Sequence, residues 1–288
     1  MPDLYTVQRP LDGLDAPVLV IHFEGWIDAG SGGIGAMNAL LNTLDVTPVA
    51  TFDIDALLDL RARRPLARIV DGVNTGLNWP RIQLAAGRDR DAKDVLLLSG
   101  PEPDFRWRSF AQAVRELCAS ARVRLIVGLN AFASAVPHTR PSPVLAAATT
   151  EALARKVGFL PGDQQVPVGI EAVLERGFAD AGVPSIGLWA PVPYYAGAML
   201  YPGASLALLE SLATLADLDL DLSVLREATE AVGARIDALV EANPQFADLV
   251  ERLEAEAGPL GGAPGFGDLP TGDELAAEFE RFLREQEE

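Results

Sequence analysis

Cysteine, lysine and histidine are nearly missing from this chain. Cys118 is the one cysteine among 288 residues. A lone thiol makes no internal disulfide and no cysteine-based zinc site. Its apolar neighbours Leu117 and Ala119 suit a small buried residue better than a nucleophile. Lys93 and Lys156 stand against 21 arginines, a compositional bias rather than chemistry. No run reaches the roughly 18 uncharged apolar residues that cross a bilayer. The opening MPDLYTVQRP lacks the basic start and apolar stretch of a signal peptide, so a cytoplasmic location is expected. GK[ST] and G-x-S-x-G are both absent, which excludes a nucleotide P-loop and a nucleophile elbow. No cofactor and no metal are expected.

What is present is an ordinary globular composition, 49% hydrophobic and 22% charged, enough for a sizeable core. The net charge is −18 and lies mostly at one end. From Asp217 onward there are 19 acidic and 5 basic residues, against 22 and 18 in the 216 residues before it. Such a field disfavours nucleic acid and anionic lipid and suits a basic protein face or a solvated helical surface. In the opposite sense, Arg61, Arg63, Arg64 and Arg68 form a basic patch, suited to meet the acidic C-terminal helices of the same chain or a neighbour.

Hydrophobic patterning alternates strand and helix up to about residue 216. The runs 17–23 (PVLVIHF), 48–52, 94–99 (DVLLLS), 123–128 (VRLIVG) and 185–191 (SIGLWAP) read as buried strands. Residues 68–70 and 81–85 read as two strands around the turn-rich GVNTGLNWP, where the sheet turns antiparallel. Helical spacing covers 34–44, 109–120, 143–157 (Ser142 as N-cap), 168–180 and 203–215. The pattern predicts an α/β domain over 1–216, a three-layer sandwich round a mixed, mostly parallel sheet. A helical appendage over 217–257 follows, with Ser223 capping its first helix and Asn243-Pro244 breaking it. A glycine- and proline-rich linker over 258–271 and an acidic terminal helix over 272–288 complete the chain.

Three segments follow buried strands, where open α/β sheets place ligands. In Glu24-Gly-Trp-Ile-Asp28-Ala-Gly-Ser-Gly-Gly33 the Asp28 carboxylate is placed to accept from backbone donors at the next helix start. The alternative, an anion held by those donors, sits poorly with Glu24 and Asp28. SGPEPDFRW brings Glu102, Asp104 and Arg106 to the same rim, as an acid pair or as partners of Arg106 and Arg108. GLNAFASAVPHTRP carries His138 and Arg140, suited to anchor a loop or, if the loops meet, to pair His138 with Glu24 or Asp28. Ser99, Ser134 and Ser142 are the nearby hydroxyls, none in a nucleophile-elbow setting. Trp189, Tyr194, Tyr195 and Tyr201 cluster with prolines, as contact surfaces do.

Taken together, FEGWIDAG, SGPEPDFRW, GLNAFASAVPHTRP and GLWAPVPYYAGAMLYP resemble the proteasome assembly chaperone 2 family in its actinobacterial branch, over about residues 5 to 255. The G-W-x-D-A-G element (Gly25 to Gly30) is the most specific. The resemblance implies a phosphorylase- or hydrolase-like α/β fold, homo-oligomers with trimers among them, and protein partners, proteasome subunits included. It does not imply an enzyme activity. Chaperones of this kind often end in a hydrophobic residue, tyrosine and any residue, a docking tail. This chain ends Arg-Glu-Gln-Glu-Glu, and the resemblance does not extend to that tail. Two readings follow. One is an oligomeric protein-binding protein without a catalytic site. The other is a small-molecule hydrolase or phosphorylase-like enzyme with Glu24 as carboxylate base, Asp28 at the helix start, Glu102 as second acid, His138 as proton shuttle and Arg140 as anion clamp.

Overall fold

The computed structural model describes residues 4–25, 27–141, 143–159 and 162–256. Among these residues ten strands lie in chain order: β1 (Tyr5–Val7), β2 (Val18–Glu24), β3 (Thr47–Phe52), β4 (Leu66–Val70), β5 (Val73–Asn78), β6 (Gln83–Arg88), β7 (Asp94–Pro101), β8 (Leu125–Ser134), β9 (Leu145–Ala148) and β10 (Ser185–Pro193). The α-helices are α1 (Gly32–Thr43), α2 (Ile54–Leu57), α3 (Trp107–Cys118), α4 (Glu151–Val157), α5 (Ile170–Asp180), α6 (Pro202–Ala216), α7 (Ser223–Glu241) and α8 (Pro244–Glu256). Eight strands form one mixed sheet in the order β1-β3-β6-β7-β2-β8-β10-β9. Parallel pairing is confined to the central four, β7-β2-β8-β10, and the flanking strands pair antiparallel.

Alternation along β2 shows how the sequence builds the layers. Leu19, Ile21 and Phe23 face the side covered by α3 and α5, where Phe110, Val114, Leu174 and Phe178 complete one core. Val18 and Val20 face α1 and α6, with Met37, Leu40, Leu208 and Leu212 in the second. His22 falls on this second face, a polar residue where an apolar one is due. Its ring lies under the start of α1: a Cβ at Gly33 would come within 2.6 Å of it and of the Leu129 carbonyl, so only glycine lets the helix settle there. Cys118 is buried, and burial pushes its thiol up to about 12. The appendage packs back on the domain, α7 against α6 and α8 against α7. Among the described residues no helix is long and apolar enough to cross a membrane.

Four local expectations change. The segment GVNTGLN is not a turn between main-sheet strands. It contains β5, which pairs with β4 as a separate two-stranded sheet, while β6 joins the main sheet. β8 runs on to Ser134, pulled straight by its parallel pairing with β10. Residues 143–157 split into edge strand β9 and the short helix α4, because Thr149 Oγ1 and N–H bond Ser185 O at 3.0 and 2.9 Å and Thr150 caps Leu153 N–H at 3.3 Å. Ser142 lies outside the described residues. Ser223 begins α7 rather than capping it: its N–H and hydroxyl both donate to Asp221, at 3.1 and 2.7 Å. The linker and terminal helix expected over 258–288 also lie outside the described residues.

Candidate functional site

β2 and β8 pair in parallel from Val18↔Leu125 to Ile21↔Gly128 and then part. β2 goes on along β7 to Glu24↔Pro101, and β8 along β10 to Ser134↔Pro193. The split leaves buried backbone groups that must find partners. His22 Nδ1 lies 2.8 Å from Leu129 O, which makes Nδ1 the protonated nitrogen. Phe23 N–H donates to Glu171 Oε1 at 2.8 Å, and Asn130 Nδ2 donates to Glu171 Oε2 at 3.0 Å. Glu171, in the first turn of α5, thus closes the split. Burial pushes it well above the usual carboxylate range, against the bond from Phe23. One turn on, burial pushes Glu175 up to about 8. Burial lowers His22 despite the Asp28 carboxylate 3.7 Å from Nε2.

The split opens into a cleft of about 880 Å³ between the sheet, the start of α5 and residues 162–169. Phe23, Ile27, Leu145 and Trp189 supply apolar wall, and Glu102, Asn130, Glu171 and Glu175 the polar part. This is the crevice past the carboxyl ends of parallel strands where α/β folds hold ligands.

The predicted residues divide between this rim and another. Glu102 Oε1 accepts from Ile170 N–H at 2.7 Å and so caps α5 at the cleft, while its own N–H donates to Glu24 O at 2.8 Å. The Glu24 side chain is exposed. Asp28 caps α1 as expected, accepting from Gly33 N–H at 2.6 Å and Ile34 N–H at 3.0 Å. His138 stands elsewhere, past β8. The Tyr195 hydroxyl accepts from His138 N–H at 2.8 Å and donates to Nδ1 at 2.7 Å, leaving Nε2–H to donate to Asp237 of α7 at 3.0 Å. Both ring nitrogens are thus taken, and the pair with Glu24 or Asp28 does not form. The histidine beside Asp28 is His22. Arg140 is exposed beyond His138. The neighbouring Thr139 hydroxyl bonds Glu254 of α8, so this loop holds the appendage. Among the described residues no group of three metal-ligating side chains forms.

His22, Asn130, Glu171 and Glu175 were not singled out from sequence. A faint signal existed: like charges four apart weaken an exposed helix, and Glu171 and Glu175 sit so beside the apolar stripe Ile170, Leu174 and Phe178.

A second feature is a surface. Every residue of β4 and β5 is exposed, with Leu66 at 70% and Val73 at 62%, beside Ile69, Val70 and Leu77. Two strands alone are marginal in water. Arg63, at the base of this arm, donates to Glu24 O at 3.2 Å and pairs with Asp104 at 3.8 Å rather than with the acidic helices.

The PAC2 family model matches residues 22–240. Nothing among curated proteins matches. Of solved structures, the Mycobacterium tuberculosis protein of unknown function Rv2714 is 38% identical, with 89% of each chain covered and a TM-score of 0.80. The M. tuberculosis proteasome-assembly chaperone homologue Rv2125 is 33% identical over 81% of this chain and 99% of its own, with a TM-score of 0.75. A PAC2 family protein from Streptomyces avermitilis is likewise 33% identical over 81% and 99%, with a TM-score of 0.72. The motifs, the eight-stranded mixed sheet and these matches agree, and the chain belongs to the PAC2 family.

Proposed function

We propose that this protein is an oligomeric, protein-binding member of the proteasome-assembly-chaperone group, and that its β4–β5 arm docks on the acidic C-terminal helices of a neighbouring copy. The observation that carries this reading is the arm itself, an apolar two-stranded sheet whose strands pair only with each other among the described residues. Burying the three apolar side chains of one face, Leu66, Val70 and Val73, stabilises by about 1.5–3 kcal/mol each before the costs of association. Charge supports the choice of partner. The arm region carries Arg61, Arg64 and Arg68, whereas α7 and α8 hold eight acidic and three basic residues. Made reciprocally, an arm-to-helix contact closes a pair, and made head to tail with a closing rotation it closes a ring, of which a trimer is the smallest. The resulting assembly would offer its surfaces to further protein subunits. Membership of a family with a proteasome-assembly chaperone homologue at 33% identity supports proteasome subunits as the class to test. The enzyme reading has less support, because His138 is engaged with Tyr195 and Asp237 rather than with the rim carboxylates.

Light scattering coupled to size exclusion tests the first part. The protein should elute as a multimer, and the double variant Leu66→Asp, Val73→Asp should elute as a folded monomer. A monomeric wild type, or an unchanged multimer in the variant, refutes the docking arm. Immobilised multimer should capture purified proteasome subunits, and failure to do so removes the assembly role while leaving self-association intact.

A further inference from the structure

The second carboxylate of α5 has no structural duty. Glu171 satisfies two donors across the strand split. Glu175 is only 9% exposed and has no hydrogen-bond partner among the described residues, yet it lines the cleft. The space it occupies is made by two glycines. Gly128 of β8 and Gly187 of β10 are register partners in the sheet. A Cβ at Gly128 would stand 2.6 Å from Glu175 Oε1, and one at Gly187 would stand 2.9 Å from the same oxygen. The sheet is bare there, and the carboxylate lies over the gap.

We infer that this cleft is a binding site for an organic cation, an amine or amidine on an apolar body, with Glu175 as its counter-ion. An acid held unpaired in a low-dielectric wall gives up its proton when a cationic group arrives, because the ligand supplies both the missing donors and the balancing charge. The balance of charge points the same way. Glu102, Asp163 and Glu171 stand round the cleft with Glu175, and the one basic group among its described lining residues, Arg176, is tied to Asp180 by bonds of 2.9 and 2.6 Å. Among the described lining residues an anion finds no free cation to pair with. Phe23, Ile27, Leu145 and Trp189 offer the apolar body a wall on which a flat ring fits. The site is independent of the arm and stands or falls apart from self-association.

Benzamidine is the probe, since its planar amidinium matches a carboxylate edge. Benzamide and benzoate are the neutral and anionic counterparts of nearly the same shape. Titration calorimetry on the full-length protein should find benzamidine bound at least about tenfold more tightly than either. Glu175→Gln should weaken benzamidine by at least about tenfold without a loss of thermal stability. Gly187→Ala, which fills the floor and keeps every charge, should weaken it as well. Comparable binding of benzamide, unchanged binding in Glu175→Gln, or no benzamidine binding to the wild type overturns the inference.

Discussion

Replacing Glu175 by glutamine should alter how stability depends on pH, and the size follows from the site. Burial holds the folded-state carboxyl at about 8 against an ordinary 4.5. The folded protein therefore keeps this proton over a range in which the unfolded chain has released it. The stabilising contribution is complete below about pH 4.5, shrinks as pH rises, and is lost by about pH 8. The slope is at most about 1.4 kcal/mol per pH unit. Between pH 5 and pH 8 the limit is about 3.5 kcal/mol, and water entering the cleft trims it to about 2–3 kcal/mol. Glutamine has nothing to ionise. The unfolding free energy of the wild type minus that of Glu175→Gln should fall by that amount across the window, some 4–9 °C in relative Tm. Urea unfolding of both proteins at pH 5, 6.5 and 8 measures it. Other titrating groups are common to both chains. Asp217 and Asp221, lowered by a hydrogen bond from Lys93 and from Ser223 respectively, lose their contribution as pH falls, the opposite direction. Parallel profiles for the two proteins would refute the claim that Glu175 is a buried, uncompensated acid.

Three other outcomes are expected. Glu171→Ala should destabilise by about 3–5 kcal/mol, because it strands the buried Phe23 N–H and Asn130 amide and leaves a void. Glu171→Gln, which retains an acceptor for Phe23, should cost under about 1.5 kcal/mol by the same denaturant titration. His138→Ala removes the link from Tyr195 to Asp237 and should speed amide exchange across residues 223–241 while α1 keeps its protection; the stability loss should be about 1–3 kcal/mol. The Cys118 thiol, buried and pushed up to about 12, should react with a disulfide reagent only as fast as the protein unfolds, so a faster reaction under native conditions would contradict its place in the core.

Much of the fold was legible because the central strands are buried on both faces. PVLVIHF and DVLLLS admit no other economical reading, and the change to helix alone after Asp217 appears in the structure as α7 and α8. The failures share a cause. β5 has no buried side, so VNTGLN carries no period of two, and its glycine and asparagines read as turn. β9 is the alanine-rich LAAA, a helix former by propensity, held extended by antiparallel pairing with β10. Asp28 as a helix-start carboxylate could be foreseen because its partners lie five and six residues away. Glu171 could not, since the backbone donor it serves is 148 residues distant and the need for it arises only where two strands part.

The two buried glutamates of α5 therefore differ in kind. A parallel pair that splays must hand its orphaned donors to something, and an acid at a helix start is a sound choice: Glu171 accepts two bonds, and its burial follows from the topology alone. Nothing in the topology asks for Glu175. An alanine there would leave no donor stranded among the described residues, and would spare the protein a stability penalty that grows through neutral pH. Yet the two strands beneath it carry glycine at paired positions, in register, where any side chain would collide with its carboxylate. Three residues on three elements agree on keeping one acid in an expensive place. Room for Glu171, whose Oε2 would lie 2.9 Å from a Cβ at Gly128, accounts for that glycine in part, but only a positively charged occupant of the cleft explains all three.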